Sequence, residues 1–223
     1  MTKDGTLKEH PTNEAEGRTA KRSRAILEAA ATVFLRDGYL GASMDEIAQL
    51  ADVSKQTIYK RFTSKETLFL EIVAGLTNAG SNAVHGDIPD LAQGGNLQGY
   101  LEDYAHRQLS IVLTPRLMQL RRVVIGEASR FPELGKALYE SGPMRAMAAM
   151  AAMFSRLKER GLLRVEDSAV AASHFNWLVM SQPLNQAMLL GDAGIPDPPA
   201  LRRYAADGVR AFLAAYGAAD ARR

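Results

Sequence analysis

The sequence predicts an all-α protein in two parts, a small N-terminal three-helix unit containing a helix-turn-helix and a larger helical bundle behind it. Three observations carry this. Apolar residues recur at steps of three and four wherever the chain is periodic, and no run alternates with period two over a useful length. Capping residues punctuate the chain at helix-length intervals. Two of the segments so delimited are short, and only Asp52 and Val53 separate them. With 223 residues, 47% of them apolar, there is room for one large or two small domains around a buried core.

Residues 1 to 17 are polar, lack periodicity and contain Gly5, Pro11, Asn13 and Gly17, which predicts a disordered arm. From about Arg18 the spacing of Ile26, Ala30, Val33 and Phe34 predicts a first helix to Arg36, closed by Gly38 as a left-handed cap. Ser43-Met44-Asp45-Glu46 has the form of a capping box, in which the Ser hydroxyl and Glu carboxylate each satisfy a backbone N–H at a helix start. The short helix that follows turns Ile47, Leu50 and Ala51 inward and ends by Asp52. Ser54 then caps a second short helix, Lys55 to Phe62. So tight a junction, with Ala48 small enough for close crossing, is a helix-turn-helix. Thr63 or Ser64 caps the next helix, Thr63-x-x-Glu66 forming a possible second capping box, with Leu68, Phe69, Ile72, Val73 and Leu76 along it.

The expected domains are therefore an arm over 1–17, a helix-turn-helix unit over 18–65, a connecting helix over 66–84 and a helical bundle over 85–223. Within the bundle, a loop over 85–96 precedes helices at about 97–113, 115–130, 132–160 with a break at Gly142-Pro143, 167–190 with a kink at Pro183, and 197–217.

Composition excludes several chemistries. The chain has no cysteine, which removes disulfides, thiolate nucleophiles and thiolate-held metals. Its four histidines, His10, His85, His106 and His174, are far apart in sequence, and no metal site is expected. G-x-G-x-x-G, G-x-x-x-x-G-K-[ST] and G-x-S-x-G are all missing, so no catalytic residue and no cofactor are predicted. Asp103-x-x-His106 occurs once, whereas a di-iron bundle needs paired Glu-x-x-His segments. The longest strongly apolar stretch, Ala146 to Phe154, is about half a membrane span, and Met1 to Gly5 shows no apolar signal region. A soluble, cytoplasmic protein without a membrane partner is expected.

The formal net charge is only +2, from 27 basic and 25 acidic residues, so distribution must identify any partner. Arg18, Lys21, Arg22 and Arg24 form one cluster without an intervening acid, and Lys55, Lys60, Arg61 and Lys65 form another. At 100° per residue, an inward Ile58 brings Phe62 beside it and sends Gln56 and Lys60 to the opposite side, with Lys55 and Tyr59 on one flank and Thr57 on the other. Gln bonds adenine bidentately and Lys bonds guanine acceptors, so this face is equipped to read base edges in a major groove. The Thr57 and Tyr59 hydroxyls, Lys65 and the backbone N–H of Ser43 suit phosphates, and Arg18 and Arg22 join them as candidate DNA contacts. The alternative for a lone helix is an amphipathic segment with a solvated basic face. Capping, a tight turn, an exposed Gln/Lys/Tyr face and an aromatic anchor occurring together favour double-stranded DNA.

Residues 18–76 resemble the TetR family of bacterial transcriptional regulators. The resemblance rests on AILEAAATVFLRDGYLGASMDEIA and ADVSKQTIYKRFTSKETLFLEIV, with the T-I-Y-x-x-F-x-S-K-E-x-L signature of that family's recognition helix and following helix. It implies that Ser43, Thr57, Tyr59 and Lys65 contact the operator backbone and that Lys55, Gln56 and Lys60 approach bases. One departure is Asp52, at a turn position often filled by Gly. The run RRVVIGEASRFPELGKALYESGP, residues 121–143, is similar to a C-terminal domain found in many such repressors. That resemblance implies a homodimer built on helices 167–190 and 197–217, with a ligand cavity in each subunit. Ala205, Ala206, Gly208, Ala211, Ala214 and Ala215 make the last helix small-sided, which suits close packing either across a dimer or within one chain.

A regulator of this kind needs a small-molecule effector to release it from DNA. Met144, Met147, Met150 and Met153 suggest a thioether-lined wall, although a spacing of three drifts by about 60° per step and some must be core. Tyr104, Met118, Trp177, Met180 and Phe175 are the other apolar candidates, and Arg121, His106, Asn176 and His174 the polar ones. The expected function is a ligand-responsive, dimeric repressor of a palindromic operator. A sequence-tolerant DNA-compacting protein and a helical-bundle enzyme are the alternatives.

Overall fold

The computed structural model describes residues 12–84 and 96–218, with side chains over 19–78 and 96–218. The chain divides into two compact units, residues 1–72 and 73–223.

Unit 1 is formed by α1 (Thr12–Gly41), α2 (Met44–Leu50), α3 (Lys55–Phe62) and the first turns of α4 (Lys65–Val84). α1 begins at Thr12, so the arm predicted over 1–17 is helical over its last six residues. Glu14, Ala15 and Glu16 are strong helix formers and Pro11 lies before the start, so a polar composition alone does not keep this stretch unfolded. Residues 1–11 lie outside the described residues. Gly38, predicted as a left-handed cap, interrupts α1 instead as a kink at φ 76°, ψ 173°, outside the left-handed helical region and open essentially only to glycine, and helix resumes to Gly41.

Ile26, Val33, Phe34, Ile47, Ile58, Phe62 and Leu68 are buried in unit 1, each worth about 1.5 to 3 kcal/mol of apolar burial. The rings of Phe34, Tyr39 and Phe69 close the core, with centroids 4.8 Å apart for Phe34–Phe69 and 5.2 Å for Tyr39–Phe69. Leu50, predicted inward, is 57% exposed. The buried face of α2 is Met44, Ile47, Ala48 and Ala51, and Leu50 sits roughly 110° around the helix from its centre.

Unit 2 contains α5 (Leu97–Val112), α6 (Pro115–Glu127), α7 (Pro132–Tyr139), a π-turn (Glu140–Met144), α8 (Arg145–Glu159), α9 (Ser168–Leu190), a 3₁₀ turn (Gly191–Gly194) and α10 (Pro198–Tyr216). The break expected at Gly142-Pro143 is this π-turn, whose wider register carries the helical path past a residue without an N–H. Side-chain oxygens of Asn96, Thr114, Asp167 and Asp197 cap the starts of α5, α6, α9 and α10. Residues 85–95, most of the expected loop, lie outside the described residues.

The core of unit 2 is centred on Phe154, Phe175 and Phe212, whose ring centroids are 4.9 to 5.4 Å apart. α5, α8, α9 and α10 meet there. α9 and α10 approach closely at Gly208, where an added Cβ would lie 2.8 Å from Val179 Cγ2. The small residues of α10 therefore divide between two faces. Ala205 and Gly208 serve this internal crossing, while Ala211, Ala214 and Ala215 face outward.

Candidate nucleic-acid interface and ligand cavity

The α2–α3 junction is built as the capping pattern predicts. Val53 N–H donates to Ala48 O at 3.0 Å, and Asp52 takes a positive φ of 52°, which an Asp side chain tolerates better than most. Ser54 Oγ accepts from Thr57 N at 3.1 Å and starts α3. Ser43 Oγ accepts from Glu46 N at 3.4 Å, but Glu46 gives its carboxylate to Arg36 at 2.7 Å, and Arg36 also grips Asp37. Arg36 holds the Asp37 carboxyl below its usual range. At the start of α4, Ser64 rather than Thr63 is the cap: its Oγ accepts from Thr67 N at 3.0 Å, while Thr63 takes a positive φ of 57°.

With Ile58 and Phe62 buried, α3 turns Lys55, Gln56, Thr57, Tyr59 and Lys60 to solvent together. Lys55 reaches Asp45 on α2 at 2.9 Å, and this hydrogen bond raises its pKa. An exposed pair of this kind is worth about 0 to 1 kcal/mol, so it yields readily to a phosphate or base. Ser43 and Arg22 are also exposed, and the side chain of Arg18 lies outside the described residues.

Lys65 is placed differently from the others. Its Nζ donates to Leu40 O at 3.1 Å and Ala42 O at 2.7 Å, and it lies 5.3 Å from the Tyr39 ring centroid. The lysine predicted to meet a phosphate holds the carbonyls at the end of α1. Its helical position gave a positive charge near a helix start, but the nearest acceptors come from residues more than twenty positions back.

Unit 2 encloses a cavity of about 310 Å³ between α5, α6, α7, the π-turn, α8 and α9, with Thr77 of α4 on its wall. Of the residues predicted from sequence, Arg121, Met147, Asn176, Trp177 and Met180 line it. Tyr104, Met118 and Met150 do not: all three are buried in the main core, and burial pushes the Tyr104 hydroxyl pKa well up. The methionine series splits as its drift requires, with Met144 exposed, Met147 on the cavity and Met150 and Met153 in the core. Asn176 lines the cavity, whereas Phe175 is core, His106 is elsewhere and His174 bonds the Tyr216 hydroxyl at 2.5 Å.

Sequence reasoning missed Gln108, Thr77 and Tyr139. Gln108 had a readable signal. It follows Leu101, Tyr104 and Ala105 on the inward stripe of α5, one polar residue in an apolar series. Its Nε2 donates to Asn176 Oδ1 at 3.0 Å, while its buried Oε1 has no partner. Thr77 Oγ1 lies 2.7 Å from both Val73 O and Ser141 Oγ of the π-turn, and its single proton serves one of these acceptors at a time.

Residues 26–72 match the N-terminal domain of bacterial regulatory proteins of the tetR family, and residues 99–218 match the C-terminal domain of AefR-like transcriptional repressors. The uncharacterized regulator YhgD of Bacillus subtilis is 49% identical over 55 residues, 25% of this chain. The match spans 29% of that relative's length, and the first curated relatives are all spanned for less than a third of theirs. A crystal structure from Mesorhizobium loti, assigned to the TetR-family transcriptional regulators, superposes with a TM-score of 0.80 at 38% identity, covering 90% of this chain and 98% of that one. The flavonoid-responsive regulator FrrA superposes with a TM-score of 0.73 at 29% identity, covering 89% and 98%. On the C-terminal match, which takes in more than half the chain, and on this likeness to the Mesorhizobium protein over nearly its whole length, the chain belongs to the TetR family of bacterial transcriptional regulators.

Proposed function

We propose that this chain is a dimeric, sequence-specific DNA-binding repressor, released from a palindromic operator by a small organic molecule held in the unit 2 cavity. The observation that carries it is the α3 face, on which Gln56 and Lys60 stand exposed one turn apart on a capped helix anchored by Ile58 and Phe62. In this reading Gln56, Lys60 and Lys55 meet base edges. Ser43, Thr57, Tyr59 and Arg22 meet phosphates. Lys65, held at the start of α4 by Leu40 O and Ala42 O, joins them as a phosphate contact. The match of residues 99–218 to a repressor domain supports repression, and the name of FrrA supports a small organic effector.

A second copy of the chain covers the outer faces of α9 and α10. Val170, Trp177, Leu178 and Leu189 of α9 are exposed large apolar residues, and Ala211, Ala214 and Ala215 on α10 give an outward small-sided stripe. Trp177 is 50% exposed and also lines the cavity, so one residue belongs to both the ligand wall and the dimer face. A ligand there acts by population shift: it binds one dimer form better than another and draws the population toward it. Thr77 places α4 on the same wall. Among the described residues no helix is long and apolar enough to cross a membrane, which fits a cytoplasmic location.

Selection of genomic DNA fragments on the purified protein, followed by footprinting, tests this reading. The expected result is a palindrome protected over two successive major grooves. Enrichment of no common sequence favours the DNA-compacting alternative.

A further inference from the structure

Arg121 and Arg122 are adjacent on α6, about 100° apart around its axis, and are treated in opposite ways. Arg122 donates to Ala187 O at 3.0 Å and to Asp192 Oδ1 at 2.5 Å, fastening α6 to the end of α9 and the turn after it. Arg121 turns into the cavity wall, where it has no ion pair or hydrogen bond among the described residues. Among the described residues no other charged one lines that cavity. Desolvation is the influence on its guanidinium, lowering its pKa, yet an arginine stays protonated, so a positive charge faces a largely apolar space without a counter-charge.

Gln108 supplies a second, independent request. Gln108 is 3% exposed, one of its two amide N–H groups donates to Asn176, and its Oε1 is left as an unpartnered acceptor on the same cavity. A carboxylate satisfies Arg121 but cannot donate to Gln108, whereas a hydroxyl can. The rest of the wall is mostly apolar and includes Ile111, Leu117, Leu138, Met147, Leu184 and Trp177. A volume of about 310 Å³ admits a molecule of roughly two rings.

We propose that the ligand of this cavity is a small, mostly apolar organic acid that also bears a hydroxyl, its carboxylate set against Arg121 and its hydroxyl donating to Gln108. This rests on the reading of the cavity as the effector site. An unpaired charge that is partly withdrawn from water is costly, and the ligand relieves that cost only in the form of the protein it binds, which is the differential affinity an effector requires.

The test is calorimetric titration of the full chain with three probes of one shape: 4′-hydroxybiphenyl-4-carboxylate, its carboxamide, and biphenyl-4-carboxylate. The hydroxy acid is expected to bind at least tenfold more tightly than the amide and several-fold more tightly than the acid without the hydroxyl. Arg121→Met should remove the first preference and Gln108→Leu the second, with Arg121→Lys retaining part of the first. Because Arg121→Met deletes an unpaired charge, it should also raise the melting temperature of the ligand-free protein. An amide that binds as tightly as the acid, an acid preference that survives Arg121→Met, or a lowered melting temperature overturns the anion proposal. If any probe that binds also releases the selected DNA fragments, the effector reading stands whatever its charge preference. Binding without release overturns the effector reading while leaving the ligand chemistry in place, and failure of all three probes to bind overturns both.

Discussion

Lys60 and Lys65 belong to one basic cluster, five residues apart, yet Lys60 projects to solvent while Lys65 is tied to Leu40 O, Ala42 O and two aromatic rings. Substitution should separate them. Lys65→Met removes charge-assisted hydrogen bonds to two carbonyls and is expected to lower unfolding free energy by about 1 to 2 kcal/mol in urea titrations. Lys60→Met should leave the denaturation midpoint where it was and weaken DNA binding. Equal midpoints for both variants would show that the Lys65 clasp contributes nothing to stability. The same lesson holds at Arg121 and Arg122, where identical neighbours acquire opposite surroundings. Charge is readable in a sequence, but the acceptor that meets it is not.

At the scale of elements, caps and periodicity located almost every helix because both are local. A Ser or Asp oxygen meets an N–H two or three residues on, and an apolar face repeats every turn. The discrepancies have local causes too: α1 starts early because nothing after Pro11 breaks it, and Leu50 is exposed because α2 has only seven residues to define a face. For α3 as a reading helix, Gln56→Ala should cost about 1 to 3 kcal/mol on the selected site and relax preference at one or two base pairs. Tyr59→Ala should weaken binding to all sequences alike. Titrations against specific and random duplexes decide this, and an equal loss on both for Gln56→Ala would remove its base-reading role. For the α9–α10 crossing, Gly208→Val forces side-chain atoms into Val179 and the Leu178 backbone, and should lower stability by about 1 to 3 kcal/mol on thermal unfolding.

At the scale of the whole molecule, the proposed dimer and its release share Trp177 and the outer face of α10. Ala211 is exposed, so Ala211→Glu should fold normally and sediment as a monomer with much weakened operator binding. A dimer of unchanged mass would move the interface elsewhere. Release also has a quantitative requirement. Moving a population from 99:1 to 1:99 takes about a 10⁴-fold difference in ligand affinity between the two forms, so a ligand that binds both equally leaves DNA affinity unchanged.

The sequence by itself determined the all-α class, the helix-turn-helix with its capped second helix, and the exposed Gln56/Lys60 face, because each depends on residues within a turn or two of one another. Tertiary structure decided what those helices enclose. Arg121, Met147, Asn176, Trp177 and Met180 line the cavity while Tyr104, Met118 and Met150 are core, since these three differ from Met147 only in which distant side chains they meet. The unpartnered Gln108 oxygen depends on Asn176, 68 residues away, and the isolation of Arg121 on which way α6 is turned. Solvent exposure and counter-charge are properties of contacts between remote segments, and no spacing along one helix contains them.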